Sequence, residues 1–386
     1  MAISDPLPRT AADFFAGIGL VRYALERQGW SDIYALDYSN EKAAMHGFHF
    51  GASHYDVQDI RVVSAAHIPS VTLAHASFPC TDTSVAGGRT GLAGRESSAF
   101  WGFTRLLAEM KEARPPLILL ENVEGFLSSG GGKDIAAALK TLSDLGYSLD
   151  LLLVDAAHFV PQSRVRLFIV GALHIRPQDL FEQERILSIM SDARPEKVQR
   201  IIRALPEVRW LLADLPLLPK RTIQLIDILD HDELWWEANR SAYLYNQMHA
   251  AHQERVKAMM RKPEWSFGTA FRRMRQRDGF KQSTAEIRTD GVAGCLRTPK
   301  GGSARQILFR AGSDQFDARL LNGRECARLM GADDYKLSSS MSLNNALFGF
   351  GDAVCVPVIE WITSQVLNVR YQQLVQLTEQ HTISGA

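Results

Sequence analysis

The chain has 386 residues, of which 46% are apolar, and its 43 basic and 43 acidic side chains cancel to a formal net charge of zero. This length exceeds one ordinary hydrophobic core and predicts a large domain joined to a smaller one or to a large insertion. No uninterrupted apolar stretch approaches the roughly 20 residues that span a bilayer. The start, MAISDPLPRT, lacks the apolar segment of a secretory signal, so we expect a soluble, intracellular protein that uses no membrane.

The cysteines indicate whether the protein works in an oxidising or a reducing compartment. Cys80, Cys295, Cys326 and Cys355 form no CxxC pair, which argues against both a disulfide framework and a zinc site. The sequence therefore predicts free thiols in a reducing cytoplasm and no bound metal.

Residues 1–175 alternate short apolar runs with amphipathic stretches, and the runs are AADFFAG, SDIYALD, VTLAHASF, PLILLENV, DLLLVDA and RLFIVGA. This rhythm predicts βαβ units, and hence an α/β domain with a mostly parallel sheet and helices on both faces.

Residues 176–309 have a different amino-acid composition and pattern. Recurring prolines come first, then a helical stretch rich in aromatic residues, and then an arginine-rich segment. We interpret this region as a smaller separate domain. Regular helical patterns return in residues 310–386, in LNGRECARLMG and GDAVCVPVIEWITSQVL, and we expect this part to complete the first domain.

Charge is unevenly distributed along the chain. Between Ala251 and Arg310 there are 14 Lys and Arg against 5 Asp and Glu, an excess of 9 positive charges. Such a segment is typical of a face that meets phosphates. A solvated basic face without a partner is the equally weighted alternative.

The first apolar run ends in DFFAGIG, directly before an amphipathic stretch, with Phe14, Ala16, Gly17 and Gly19 at the turn. Glycines at a strand-to-helix turn let the backbone approach a ligand, and a helix N-terminus favours an anionic group. A tight turn without a ligand is the open alternative.

Acidic residues end the next two segments. Asp37 and Tyr38 follow the second run, where a carboxylate can accept hydrogen bonds from ribose hydroxyls. Asp59 and Ile60 end a later segment, at a place suited to adenine. For each aspartate alone, a helix cap or turn residue remains the alternative.

A candidate nucleophile follows a third run. FPC ends in Cys80, and the segment behind it, residues 81–98, contains four glycines. This composition predicts a mobile loop beside a thiol, at the carboxyl edge of the sheet where open α/β folds build their sites. An inert core cysteine is the common alternative.

Two later segments carry charged residues. Glu121 follows four apolar residues, where a carboxylate is costly to hold without a partner. In QSRVR, strand alternation places Gln162, Arg164 and Arg166 on one face. The alternative for Glu121 is an exposed residue at a strand end. The alternative for QSRVR is an edge strand whose polar face is solvated.

The ordered series DFFAGIG, FPC, ENV, QSRVR, RLLNGRECARLMG and FGDAVCVPV closely resembles the DNA (cytosine-5) methyltransferases, in particular the bacterial type II modification enzymes. The resemblance covers residues 11–175 and 290–365, about two thirds of the chain. It implies a Rossmann-like fold dependent on S-adenosylmethionine, with residues 176–309 as the target-recognition domain.

The resemblance also implies catalytic roles. Cys80 is then the thiolate that adds to carbon 6 of a cytosine flipped out of the duplex. Glu121 binds the amino edge and protonated ring nitrogen of the base, and Arg166 holds its ring oxygen. Positive charge from Arg164 and Arg166 favours the thiolate, and the glycine-rich loop acts as a lid.

Binding residues are implied in the same way. The cofactor S-adenosylmethionine, released as S-adenosylhomocysteine, is expected to contact Phe14, Ala16, Gly17, Gly19, Asp37, Tyr38, Asp59, Ile60, Pro79, Asp352 and Val354. DNA is expected to contact Ser84, Asn122, Gln162, Arg297, Thr298, Gly301, Gly302 and Arg305. Further arginines, Arg272, Arg273, Arg275 and Arg277, are suited either to guanines or to phosphates.

The chain departs from the family pattern at three positions. Thr81 stands where Gln is usual, Phe78 replaces a Pro, and Asp352 replaces an Asn. None of these removes a group with a chemical role.

Two rival interpretations are an RNA (tRNA) cytosine-5 methyltransferase and a non-enzymatic DNA-binding relative. The basic insert favours duplex DNA, and intact Cys80, Glu121, Arg164 and Arg166 favour an enzyme. The resemblance implies a cytoplasmic, nucleoid-associated monomer. It would be either an orphan or part of a restriction-modification system whose endonuclease it does not bind directly.

Overall fold

A computed structural model describes residues 7–51, 54–79, 98–277, 280–298 and 305–384. They contain a seven-stranded sheet of order β3-β2-β1-β4-β5-β7-β6 and a four-stranded sheet of order β11-β10-β8-β9. Of the predicted site residues, Cys80, Ser84, Gly301 and Gly302 lie outside the described residues, and so does Thr81.

The larger sheet is mostly parallel, as predicted. Strands β1 to β5 run parallel, whereas β7 is antiparallel to both of its neighbours, β5 and β6. The strands are β1 (Thr10–Phe14), β2 (Ser31–Asp37), β3 (Tyr55–Val57), β4 (Leu73–Ala76), β5 (Leu117–Val123), β6 (Ser148–Asp155) and β7 (Val165–Ala172).

Both faces of this sheet are covered. Along β5, Leu117 and Leu119 belong to one hydrophobic cluster, whereas Ile118 and Leu120 belong to another on the opposite face. This alternation follows from the period of two in a strand and confirms helices on both sides. The helices between these strands are α1 (Leu20–Arg27), α2 (Asn40–Phe50), α3 (Ser98–Glu109) and α4 (Lys133–Asp144).

The order of the strands determines where a binding crevice can form. The chain builds outward from β1 through β2 and β3, and then returns to place β4 and β5 on the other side of β1. The sheet therefore has a topological switch point between β1 and β4. In open α/β sheets a crevice forms outside the carboxyl ends of the strands at such a point.

The proline-rich segment after residue 175 packs on the larger sheet. It contains α5 (Leu180–Ser188) and α6 (Glu196–Ala204). The Leu149 amide of β6 donates to the Arg209 carbonyl at 2.6 Å, and the Leu211 amide donates to the Leu149 carbonyl at 2.7 Å. Trp210 between them is fully buried. The predicted smaller domain therefore does not begin at residue 176, because this segment extends the edge of the first sheet.

The smaller sheet is antiparallel. It consists of β8 (Ser266–Arg277), β9 (Phe280–Arg288), β10 (Ile307–Gly312) and β11 (Gln315–Leu320), and one face packs on α7 (Ala238–Asn246) and α8 (Ala250–Met260). The predicted boundary at residue 309 falls inside β10, which pairs with β8, and the pairing of β11 with β10 extends this sheet to residue 320. Phe309 points into the core of the smaller sheet, whereas Leu308 belongs to the main core.

The C-terminal helices cover the α1 side of the main sheet. They are α9 (Gly323–Leu329), α10 (Leu343–Asp352), α11 (Val356–Ile362) and α12 (Asn368–Ser384). By length and composition the stretch Leu343–Gln380 could cross a membrane, but 67% of its apolar window is buried inside the protein. Packing against the core accounts for its apolar character.

Burial of Glu325 makes it a testable anchor of α9. Its carboxylate accepts hydrogen bonds from the buried Arg319 guanidinium at 2.6 and 2.7 Å and from the Asp230 amide at 3.0 Å, and it completes a capping box with Asn322. Because Glu325→Ala leaves a buried cation uncompensated, we expect the free energy of unfolding to fall by about 3–5 kcal/mol. Urea denaturation measures this loss.

Glu196→Ala is the matched control, because its ion pair with Arg200 is exposed on a helix surface. The control variant should leave the denaturation midpoint nearly unchanged. If Glu325→Ala behaved like the control, the Arg319–Glu325 pair would not be an anchor of the fold.

Candidate active site

The glycine turn after β1 is held in place by Asp37. Its two carboxylate oxygens accept hydrogen bonds from the Gly17 and Ser39 amides, each at 3.0 Å. Gly19 has φ +83°, and a Cβ there would lie 2.6 Å from both His46 and Phe50. Only glycine fits this turn, because the backbone is left-handed and tightly packed.

A cleft opens beside this turn, at the switch point of the sheet. Among the predicted cofactor residues, Asp37, Tyr38, Asp59, Ile60 and Pro79 line it together; the remaining lining residues are Phe15, Leu36, Gln58, Arg61 and Ala99. Residues from distant parts of the sequence thus meet at one cavity.

Six predicted cofactor residues are not among those that line the cleft, namely Phe14, Ala16, Gly17, Gly19, Asp352 and Val354. Phe14 and Val354 are buried in the core, and Ala16 is buried in the turn. Phe15, which the sequence reasoning missed, lines the cleft with φ +63°. A left-handed non-glycine residue stores strain and often marks a ligand site, but a sequence pattern does not reveal it.

Charges surround the cleft. Burial raises the pKa of the Asp37 carboxyl above its usual range, and the nearby Lys42 ammonium only partly offsets this. The Lys42 ammonium also forms an ion pair with the Asp352 carboxylate of α10 at 2.8 Å. Asp352 is therefore linked through Lys42 to the surroundings of Asp37. Asp59 forms an ion pair with Arg61.

The second half of the site is an ion pair between β5 and β7. The Glu121 carboxylate is buried, and its Oε1 lies 2.8 Å from Nε of Arg166. The antiparallel register pairs Val123 with Arg166 and Glu121 with Phe168, which brings the two charged side chains together. Glu121 therefore has a partner, and it is not the exposed strand-end residue of the alternative interpretation.

Asn122 connects this pair to the FPC segment. Its side-chain nitrogen donates to the Phe78 carbonyl at 3.2 Å, and its side-chain oxygen accepts from the Val123 amide at 2.8 Å. Because Pro79 lines the cleft, residues 78–79 contact both the cleft and Asn122, the neighbour of Glu121.

Arg164 and Gln162 are deeply buried and bind backbone groups. Arg164 donates to the Leu296 carbonyl at 2.9 Å, to the Gly351 carbonyl at 3.1 Å and to the Ala353 carbonyl. Gln162 donates to the Leu329 carbonyl at 2.8 Å and accepts from the Leu296 amide at 2.9 Å. Both side chains thus hold the segment before Arg297 in place.

The remaining DNA-binding candidates lie near this segment. Arg297 is exposed and Thr298 is half-buried, whereas Arg305 donates to Asn344. Cys295, which the sequence reasoning left without a role, has its sulfur beside both Arg164 and Arg166. Within the described part of the chain, no three His, Cys, Asp or Glu side chains are grouped so that they could hold a metal ion.

Solved methyltransferases share this architecture. The Entamoeba histolytica methyltransferase EhMeth matches with a TM-score of 0.62 at 13% identity, over 93% of this chain and 98% of that chain. This likeness shows the fold, an α/β architecture with a mostly parallel sheet.

The family is given by the sequence match. Residues 10–368 match the C-5 cytosine-specific DNA methylase family, so the chain belongs to that family and is an enzyme of the DNA (cytosine-5)-methyltransferase class. Type II methyltransferase M.DsaV of Dactylococcopsis salina is 27% identical over 369 residues, which are 95% of this chain and 87% of that protein. M.HhaI of Haemophilus parahaemolyticus is 24% identical over 362 residues, 92% of this chain and 93% of that protein.

Other relatives match over shorter stretches. Two further type II methyltransferases are 29% and 32% identical to the chain, but the matches span only 49% and 39% of their lengths.

Asp37→Ala tests the cofactor half of the site. Loss of a carboxylate that orders the glycine turn should weaken S-adenosylmethionine binding by about tenfold or more, as measured by calorimetry. DNA affinity should stay nearly unchanged. In the unaltered chain, binding should weaken as the pH falls through the raised pKa of Asp37, because the protonated carboxyl is a poorer acceptor.

Glu41→Ala is the control for this prediction, because Glu41 is an exposed acidic neighbour on α2. Cofactor affinity equal in both variants would mean that Asp37 is only a turn residue.

Proposed function

We propose that the chain transfers a methyl group from S-adenosylmethionine to carbon 5 of a flipped-out cytosine in duplex DNA, with Cys80 as the nucleophile. The observation that carries this proposal is that the segment 78–79 is shared by both halves of the site. Pro79 lines the cleft, and the Phe78 carbonyl is bound by Asn122, the neighbour of Glu121. Cys80 follows Pro79 directly in the sequence.

The cleft suits the proposed cofactor. Apolar Phe15, Leu36 and Ile60 flank the Asp37 carboxylate, and this combination fits an adenine ring beside ribose hydroxyls. When bound, S-adenosylmethionine supplies an electrophilic methyl group on a sulfonium. Gly17 and Gly19 would allow close approach of the backbone, and Tyr38, Asp59 and Ile60 would complete the pocket.

The Glu121–Arg166 pair supports the role of base holder. In the proposed complex Glu121 holds the amino edge and the protonated ring nitrogen, while Arg166 holds the ring oxygen. Both groups are fixed before the base arrives, because they already bind each other at 2.8 Å. Such preorganised polar groups stabilise charge that develops during the reaction.

The covalent step follows from this arrangement. The Cys80 thiolate forms a bond to carbon 6, and the electron pair of the ring double bond makes carbon 5 nucleophilic. Carbon 5 would then form a bond to the methyl group while the bond from that group to the sulfonium sulfur breaks, which leaves S-adenosylhomocysteine as the product. Loss of the carbon 5 proton to a base restores the double bond and expels the thiolate.

The smaller sheet is proposed to bind DNA. Strand alternation places Arg273 and Arg275 on one face of β8 and Arg272 on the other. Arg272 is bound to Gln247 at 2.9 Å, and Arg275 to Glu286 at 3.0 Å. Arg297, Thr298 and Arg305 lie at the end of this region, and we propose that they contact the DNA around the flipped base.

Gln162 and Arg164 are proposed as supports for that segment, because their polar groups are engaged by the protein itself.

The cellular role is proposed from the relatives. They include type II methyltransferases and an orphan methyltransferase of a Bacillus phage. We propose a cytoplasmic, nucleoid-associated monomer that is either an orphan enzyme or the modification partner of an endonuclease that it does not bind directly.

Substrate choice is tested by methyl transfer. Purified protein should move labelled methyl from S-adenosylmethionine to duplex DNA and not to tRNA, because the basic strand β8 belongs to a large insert suited to a duplex. Bisulfite sequencing of host DNA after expression should reveal the target site. Transfer to tRNA equal to or above that to DNA would overturn the substrate assignment.

Covalent trapping tests the nucleophile. In DNA carrying 5-fluorocytosine at the target, the carbon 5 substituent cannot leave as a proton, so the enzyme should remain bonded to carbon 6. The adduct should survive boiling in detergent and require S-adenosylmethionine. Denaturing gel electrophoresis measures it.

Cys80→Ala should abolish the adduct while DNA binding persists, and Cys326→Ala is the matched control that should trap normally. An adduct that forms without Cys80 would assign the role to another thiol.

A further inference from the structure

Two tyrosine hydroxyls bind consecutive carbonyl groups of the glycine turn. The Tyr55 hydroxyl donates a hydrogen bond to the Gly17 carbonyl at 2.8 Å. The Tyr335 hydroxyl donates to the Ile18 carbonyl at 2.7 Å and lies 3.2 Å from the Met45 carbonyl. Strand β3 provides the first tyrosine and the segment between α9 and α10 provides the second, so residues far apart in the sequence hold one turn.

Packing holds both tyrosine rings in place. The Tyr335 ring is fully buried and stacks on the His49 ring, with 4.2 Å between the ring centroids. The next residue, Lys336, donates its amide to Nδ1 of His49 at 2.9 Å, so this segment is held on α2 by two contacts. The Tyr55 ring packs edge-on against His46, with 4.7 Å between the centroids. Because both rings are already ordered, their hydroxyls hold the turn at little further cost in conformational entropy.

The turn needs such support because its backbone is strained. Phe15, Gly17 and Gly19 have φ of +63°, +59° and +83°, so every second residue of the turn is left-handed. Glycine adopts this conformation freely, whereas a phenylalanine persists in it only where the surrounding contacts hold it. Since Phe15 lines the cleft, the shape of the cleft depends on the contacts that keep the turn in this form.

The end of β2 and the two tyrosines bind different groups of the turn. The Ala16 amide donates to the Leu36 carbonyl, and the Gly17 amide donates to the Asp37 carboxylate, each at 3.0 Å. The end of β2 therefore binds amides, whereas the tyrosine hydroxyls bind the carbonyls that follow. Loss of a tyrosine hydroxyl would release the carbonyl of one peptide group while the contacts to β2 remain.

We infer that Tyr55 and Tyr335 are positioning residues for the cofactor, because their hydroxyls hold the glycine turn in the form that presents Phe15 to the cleft. This inference rests on the proposed function, in which the cleft binds S-adenosylmethionine. Neither hydroxyl acts on the cofactor directly; each acts through a carbonyl of the turn. The turn is thus ordered before the cofactor arrives, which lowers the cost of binding.

Three phenylalanine substitutions separate positioning from stability. Tyr55→Phe and Tyr335→Phe each remove one hydroxyl from the turn, and each should weaken S-adenosylmethionine binding, measured by calorimetry, by about threefold or more. Tyr147→Phe is the matched control and should leave this affinity unchanged. The buried Tyr147 hydroxyl also donates to a backbone carbonyl, that of Pro115 at 2.7 Å, but it does so at the amino end of β5, at the opposite edge of the sheet from the cleft.

Stability and kinetics give readouts that a merely structural role would not match. Urea midpoints should fall by similar amounts in all three variants, because each loses one hydrogen bond of the same kind. The KM for S-adenosylmethionine should rise in Tyr55→Phe and Tyr335→Phe alone, whereas kcat and the KM for DNA should stay near those of the unaltered protein.

Cofactor affinity equal to that of the control in either folded variant would overturn the inference, and so would a fall in kcat without a rise in this KM. If Tyr335→Phe fails to fold, Tyr55→Phe decides alone, because the Tyr55 side chain is only half-buried.

Measurements on the unaltered protein keep the two proposals apart. Failure of that protein to bind S-adenosylmethionine, or to trap on fluorocytosine DNA, would reject the proposed function. Normal binding and trapping, with Tyr55→Phe and Tyr335→Phe binding the cofactor as tightly as Tyr147→Phe, would reject only the positioning role.

Discussion

The buried guanidinium of Arg164 joins three stretches of chain that are far apart in the sequence. It donates to carbonyls of Leu296, Gly351 and Ala353 from the start of β7. Carbonyl groups satisfy its hydrogens without neutralising its charge, and the same side chain fastens the segment before Arg297 to the C-terminal helices. The position of Leu296, and of the segment that leads from it to Arg297, depends on these hydrogen bonds.

The two halves of the site, which are the cleft beside Asp37 and the Glu121–Arg166 pair, are connected by short contacts. Asp37 orders the glycine turn, Pro79 lines the cleft, and Asn122 fixes the carbonyl before Pro79. These contacts connect the carboxyl ends of β2, β1, β4 and β5, which are neighbours in that order in the sheet. Rigid elements rather than long loops therefore set the spacing between the two halves, as precise chemistry requires.

The main sheet and part of the site could be predicted from the sequence, because a glycine-rich strand-to-helix turn and an acidic residue at a strand end are local patterns. The sequence reasoning identified Asp37, Glu121 and Arg166, and the parallel sheet. It did not predict that β7 runs antiparallel between β5 and β6, since strand order depends on long-range packing. The role of residues 176–229 was misread for the same reason: prolines mark a break in regular structure but do not show which sheet the extended chain will join. The contact of Cys295 with Arg164 forms between residues that are far apart in the chain, and their spacing in the sequence does not reveal it.

Strand β10 has a consequence for any exchange of the smaller sheet, the proposed recognition region. Its neighbouring residues Leu308 and Phe309 belong to the main core and to the core of the smaller sheet. A graft that swaps the smaller sheet by cutting at this strand would sever both cores at once. A chimera with altered sequence specificity therefore has to carry the whole stretch from β8 to β11 and keep an apolar side chain facing each core, so this single strand limits how modular the enzyme is.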